Sequence, residues 1–264
     1  MALNGLFVML KSVFCMNEMT KKFLLIDNSN TRTKFMFAVD GKLQQLRLIL
    51  PTKNITASEL ESLLRDYEFS CAVISSVVPS VAKIFEEVLS CPIHFVTYES
   101  PMELAFDYPA ASSLGADRVA NCMAAIEYGR FPCVVIDAGT AVTFDVVKCI
   151  DNKPTFCGGA ISPGLSSYTS YLHQRTALLP QVDTTGSVYA IAQNTRDAIR
   201  SGAVLGFVGM VREIVNRIQE ELGKTVHIVL TGGDAALIQR ELYPDSIMVP
   251  NLTFHGLLQV ANRL

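Results

Sequence analysis

Two stretches of this chain are built to the same plan. Residues 23–37 read FLLIDNSNTRTKFMF and residues 134–147 read VVIDAGTAVTFDVV. Each is an apolar, β-rich run ending in aspartate, then a tight turn of small or polar residues, then a second apolar run. That is the pattern of a strand, a turn and a returning strand. The correspondence continues downstream, where residues 71–85 (CAVISSVVPSVAKIF) match residues 227–238 (HIVLTGGDAALI) as a buried strand, a small-residue turn and a helix. A chain that repeats one supersecondary order folds as two similar α/β lobes.

The segments between these anchors are consistent with that plan. Gly41–Leu50 reads as a third strand, and Ser58–Asp66 as an amphipathic helix opened by a capping box from Ser58 to Glu61. Val81–Leu89 and Ala116–Tyr128 read as helices and His94–Thr97 as a strand. Thr195–Leu222 reads as one long helix, although Gly202, Gly206 and Gly209 each cost about 1 kcal/mol of propensity relative to alanine. Glycines at such positions predict close helix packing, within the chain or between subunits. No long flexible linker separates the halves, so the lobes, residues 22–115 and 116–264, are expected to face each other across a cleft. Residues 1–21 read as an extension outside the fold, because Lys11 interrupts their apolar run and no signal-type cleavage site follows.

Charge and cysteine content narrow the function. The formal net charge is −3, which argues against a nucleic-acid-coating protein. The 7 cysteines show no CxxC or Cys/His ligand spacing, so the reading is a protein of the reducing cytoplasm without a disulfide framework or zinc site, and without a membrane span.

Aspartate at the end of a strand, followed by a polar turn, brings a carboxylate, backbone N–H groups and hydroxyls to one tip. Two such tips facing each other suit the phosphates of a nucleotide with a divalent metal nearby. The candidates are Asp27, Asn28, Ser29, Asn30, Thr31 and Lys34 in the first tip, and Asp137, Gly139, Thr140 and Thr143 in the second. Gly115-Ala116-Asp117-Arg118 stands at a helix start, with Tyr108 in the small-residue loop before it. Gly158-Gly159, Pro163-Gly164 and Thr231-Gly232-Gly233 are turns that either admit a ligand to the backbone or serve only as turns; the last is favoured for a ligand because it ends a strand and opens a helix. His94 and His227 lie in strand-like runs and read as structural. There is no P-loop, no dinucleotide-binding glycine fingerprint and no serine-nucleophile elbow.

In order along the chain, IDNSNTRTKF, SSVVPS, YPAASSLGADRVANCMAA, IDAGTAVTFDVV, GGAISPGL, TALLP, NTRDAIRSGAVLGFVG and LTGGDAALI resemble type III pantothenate kinases, a branch of the actin, sugar-kinase and heat-shock-chaperone ATPase superfamily. The resemblance spans about residues 22–264. It implies a two-lobed actin-like (ribonuclease H-like) fold and ATP-dependent phosphorylation of pantothenate to 4'-phosphopantothenate, the first step of coenzyme A biosynthesis. By position, Asp27, Asn28, Ser29, Asn30, Thr31, Arg32, Thr33 and Lys34 resemble the first ATP loop and Thr140 a second ATP contact. Tyr108, Gly115, Ala116, Asp117, Arg118 and Thr195 resemble the pantothenate contacts, with Asp117 as proton acceptor. Asp137 resembles the ligand of a monovalent cation, potassium or ammonium. The family also implies Mg2+ with the ATP and a homodimer. The alternatives are another small-molecule kinase of the superfamily or a non-catalytic nucleotide-binding relative.

One position departs from the family pattern. The family's first loop carries glycine where this chain has Ser29, and Gly139 holds the equivalent place in the second half. If the turn needs positive φ or close phosphate approach, Ser29 predicts weakened ATP binding.

Overall fold

Strand β1 (Lys22–Asn28) returns antiparallel as β2 (Arg32–Val39), with Asp27 opposite Lys34 and Asn28 opposite Thr33. The computed structural model describes residues 21–264, so the expectation for residues 1–21 lies outside the described residues except at Lys21. β3 (Lys42–Pro51) continues the meander, and β4 (Cys71–Ser76) and β5 (Ile93–Phe95) add in parallel beyond β1, giving the order β3-β2-β1-β4-β5. After the short β6 (Ala105–Phe106), the second half repeats the order. β7 (Cys133–Ala138), β8 (Ala141–Ile150), β9 (Lys153–Pro163), β10 (His227–Thr231) and β11 (Ile247–Met248) run β11-β10-β7-β8-β9, with β6 added at the β9 edge. The inner strands β1, β4, β7 and β10 are apolar on both faces, as parallel strands covered on both sides require.

The helices form three layers around the two sheets. α1 (Ala57–Leu64) and α2 (Pro79–Val88) bury Leu60, Leu64, Val81 and Phe85 against one face of the first sheet. α3 (Ala116–Ala125) covers its other face through Val119, Ala120 and Met123, and meets the second sheet through Cys122, Ala124 and Ala125. α4 (Leu165–Arg175), α5 (Thr195–Leu222) and α6 (Ala235–Glu241) cover the outer face of the second sheet. α7 (Leu252–Ala261) returns to the first sheet beside α3. A β-carbon on Gly256 of α7 would lie 2.0 Å from the Ala120 carbonyl oxygen, so glycine is what lets these two helices touch.

Several expectations are corrected here. The first helix is capped by Thr56, whose hydroxyl accepts from the Glu59 N–H at 3.2 Å; the capping pattern thus sits two residues before Ser58. α5 spans the expected range, opened by Asn194 and closed by Gly223 at φ +60°. Of its three glycines only Gly206 packs closely, against the Tyr168 ring of α4, while Gly202 and Gly209 meet nothing within 4 Å. Gly159 and Gly232 admit neighbouring backbone: added β-carbons would lie 1.7 Å from the Phe144 oxygen and 2.4 Å from the Ala138 oxygen. β6 joins the second sheet, and α7 packs on the first. No helix among the described residues is long and apolar enough to cross a membrane.

Candidate active site

The two hairpin tips meet. Thr31 and Thr140, both exposed, bring their hydroxyls to 2.9 Å across the gap between the lobes. Behind the first tip Asp27 is buried, and Lys34 Nζ donates to its Oδ2 at 2.7 Å while the Ser29 hydroxyl donates to its Oδ1 at 3.0 Å. Asn28 and Thr33 turn inward: Asn28 Nδ2 donates to the Thr33 hydroxyl at 2.7 Å, and Ser76 donates to Asn28 Oδ1 at 2.7 Å. These two side chains hold the loop's shape and leave Asn30, Thr31 and Arg32 outermost. Neither Ser29 nor Gly139 has positive φ, so the strain predicted for Ser29 is absent.

Asp117 enters from the first turn of α3, where its Oδ1 accepts from the Arg118 N–H at 2.8 Å. A β-carbon on Gly115 would fall 2.6 Å from that same oxygen, so glycine keeps room for the carboxylate. Partial burial, helped by the negative charge of Asp27, holds the Asp117 carboxyl above the usual range. Asp137 at the end of β7 accepts from Asn121 Nδ2 at 2.9 Å, and Asn121 is in turn fixed by the Thr253 hydroxyl. Burial, with Asp27 nearby, pushes the Asp137 carboxyl up to about 6. Asp27, Asp117 and Asp137 thus form one electrostatic cluster of carboxylates, with Lys34 also acting on Asp137.

Beside this cluster Tyr108 stands edge-on to Phe156, with ring centroids 5.3 Å apart, and Arg118 lies over the Phe156 ring at 5.6 Å. A cavity of about 340 Å3, lined in part by Ser76, Tyr98 and Glu99, reaches Gly115 and Ala116 at the start of α3. The structure therefore assembles the tip residues, Tyr108 and the segment 115–118 along the cleft. Thr195 lies elsewhere, exposed on an apolar groove of about 750 Å3 between α4 and α5. Residue-by-residue reading missed Asp145, Asn121 and Phe156. Only Asp145 carried a signal: a charge inside the apolar run of β8.

The arrangement suits a polyphosphate. Hydroxyls and backbone from two tips face clustered carboxylates, whose mutual repulsion a cation would relieve. No group of three or more His, Cys, Asp or Glu side chains able to hold a metal occurs among the described residues. A hard cation here would complete its shell with phosphate oxygens and water, as Mg2+ commonly does.

The repeated lobes define a class, the two-lobed α/β proteins of the actin-like and sugar-kinase type. The inorganic polyphosphate/ATP-glucomannokinase of an Arthrobacter species matches with a TM-score of 0.51 at 13% identity, over 92% of this chain and 100% of that one. The ethanolamine utilization protein EutJ of Carboxydothermus hydrogenoformans matches with a TM-score of 0.50 at 10% identity, over 91% and 89%. Within that class, the chain belongs to the type III pantothenate kinase family, whose sequence profile matches residues 23–217. It is 43% identical to the type III pantothenate kinase of Akkermansia muciniphila, over 89% of this chain and 96% of that protein. It is 39% identical to that of Methylacidiphilum infernorum, over 89% and 86%.

Proposed function

We propose that this kinase transfers a phosphoryl group from ATP to the primary hydroxyl of pantothenate, with Asp117 as proton acceptor and the two tips as the phosphate cradle. The reaction is the first step of coenzyme A biosynthesis. The observation that carries the assignment of roles is the coupling of Asp27, Asp117 and Asp137 beside tips bridged by Thr31 and Thr140.

Phosphoryl transfer depends mainly on alignment and charge neutralisation, so the chain's task is to hold two substrates in line. Asn28, Ser29, Asn30, Thr31, Arg32 and Thr33 shape the first phosphate loop, and Thr140 supplies the second. Lys34 neutralises Asp27 and adds positive charge near the phosphates. Tyr108 and Gly115 to Arg118 bind pantothenate. Asp117 orients the hydroxyl and accepts its proton, and burial and Asp27 raise its basicity in the direction that task needs. Mg2+ would accompany the ATP phosphates beside the clustered carboxylates, and Asp137 would be the ligand of a monovalent cation, K+ or NH4+. These cations, when bound, spread the charge of the transferring phosphoryl group.

The enzyme acts as a homodimer in the cytoplasm. The apolar groove between α4 and α5 supports the dimer, with Tyr171 exposed by 62% in its lining and Thr195 beside it. The partner subunit would bring that groove's Thr195 to the neighbouring pantothenate site. The free thiols of Cys71, Cys91, Cys122, Cys133, Cys149 and Cys157 suit a reducing compartment.

A coupled ATP assay across pantothenate and a set of small polyols, run beside sedimentation at assay concentration, tests the reading. Turnover confined to pantothenate by a dimeric species is expected. Turnover of a polyol in preference to pantothenate would overturn the substrate, and an active monomer would overturn the dimer.

A further inference from the structure

Asp145 sits at the centre of β8, wholly buried, between Val135 of β7 and Gly159 of β9. Its neighbours along the strand are Phe144, Val146 and Val147, so an apolar residue would pack there without the cost of a buried charge. Arg118 engages the carboxylate on one oxygen only, and the Thr143 side chain also favours its charged form. Arg118 Nε and Nη2 both reach Oδ1, at 2.7 and 2.5 Å, while Oδ2 is buried with no partner among the described residues. Arg118 Nη1 likewise makes no hydrogen bond to a described residue.

The strand around this pair is shaped to hold it. Between Asp145 and Val147 the pairing with β9 slips, from Gly159 to Phe156, and Gly158 takes φ +104° in the slip. Glycine at 159 lets β9 close over Asp145, because a β-carbon there would overlap the Phe144 carbonyl. Tyr108 packs over Gly158 and against Phe156, the ring on which Arg118 lies. Asp145, the irregular turn of β9, Tyr108 and Arg118 therefore form one wall of the cleft next to Asp117.

We infer that Asp145 is a positioning residue for the acceptor substrate: by taking two of the guanidinium's donors on one oxygen, it fixes Arg118 against Phe156 and leaves Nη1 to meet pantothenate. The inference rests on the reading of Arg118 as a pantothenate contact. Burial pushes the Asp145 carboxyl up while Arg118 pulls it down, and the two guanidinium donors on Oδ1 favour the ionised pair.

The test is steady-state kinetics in both substrates for the full chain and for Asp145→Asn, Arg118→Lys, Arg118→Ala and the double variant Asp145→Asn/Arg118→Lys, with thermal denaturation of each. Asp145→Asn and Arg118→Lys are each expected to raise KM for pantothenate by roughly 10- to 100-fold, the scale of one charge-assisted hydrogen bond. KM for ATP should remain within about twofold, and the double variant should be no worse than about threefold beyond the poorer single variant, because both changes act on one contact. A purely structural role would lower the melting temperature and the active fraction without moving KM for pantothenate. An unchanged KM in a folded Asp145→Asn, or multiplied losses in the double variant, overturns the inference while a raised KM in Arg118→Ala keeps the substrate contact. An unchanged KM in Arg118→Ala overturns both. If Asp145→Asn does not fold, Asp145→Glu decides, since it leaves Arg118 intact and keeps the charge but shifts the carboxylate that holds the guanidinium: a raised KM for pantothenate with KM for ATP unchanged supports the inference and an unchanged one overturns it.

Discussion

The two hairpin tips share a backbone plan and differ in how they handle charge. In the first, Lys34 stands opposite Asp27 and donates to it at 2.7 Å. In the second, the position opposite Asp137 is Thr143, and among the described residues the carboxylate takes its hydrogen bond from the Asn121 amide. The backbone supports are copied: the Thr52 N–H donates to the Thr31 oxygen at 3.1 Å, and the Gly164 N–H to the Thr140 oxygen at 3.0 Å. Their side chains diverge, since the Thr52 hydroxyl also donates to the Ser29 oxygen, whereas a β-carbon at Gly164 would lie 2.0 Å from the Gly139 oxygen. Duplication has thus preserved the main-chain contacts, while one tip pairs its aspartate with a lysine and the other leaves its aspartate on an amide, with no ion pair to it among the described residues.

The largest expected effect lies at the carboxylate between the tips. Asp117→Asn should cut kcat by about 100-fold or more, the usual scale for a general base. In the native enzyme kcat/KM should fall as pH drops through the pKa of Asp117, because only the carboxylate accepts a proton. Burial and Asp27 favour the protonated form, so this acid limb lies above the ordinary carboxylate value of ~3.9. Near-native turnover in Asp117→Asn, measured in the purified protein, would remove Asp117 from the reaction.

Next comes the open tip. Asp137→Ala should lose stimulation by K+ or NH4+ over Na+ and at least roughly 10- to 100-fold in activity, the range that changes around a bound metal produce. Equal native rates in the three salts at constant Mg2+ would contradict the assignment. The self-neutralised tip should be less sensitive. Lys34→Met removes one charge-assisted bond and should raise KM for ATP about tenfold, and it should make the enzyme more responsive to added monovalent cation because Asp27 then resembles Asp137. A native KM for ATP in that variant would exclude the Asp27–Lys34 pair from the phosphate cradle.

The smallest effect should come from making the turns alike. A β-carbon in the left-handed region costs ~1–2 kcal/mol, but Ser29 is not there, so Ser29→Gly should move KM for ATP by less than about threefold. A larger improvement would mean that the serine side chain crowds the phosphate rather than straining the chain.

Local sequence set the repeated strand, turn and strand, the helices that follow β4 and β10, and the limits of α5. These depend on local periodicity, turn residues and caps such as Asn194 and Gly223, which act within a few residues of themselves. It also made the aspartates at the two strand ends visible, because the repeat marks equivalent places. Tertiary structure decided which distant groups meet. Thr31 with Thr140, Arg118 with Asp145 and Asn121 with Thr253 are pairs whose members lie far apart in the chain, on different turns or elements. Whether they touch depends on strand register, on the slip in β9 and on the close approach of α7 to α3 at Gly256. The return of α7 to the first sheet and the addition of β6 to the second are of the same kind. Short segments carry too little local preference to choose their sheet, and the choice falls to the burial available once both lobes have formed.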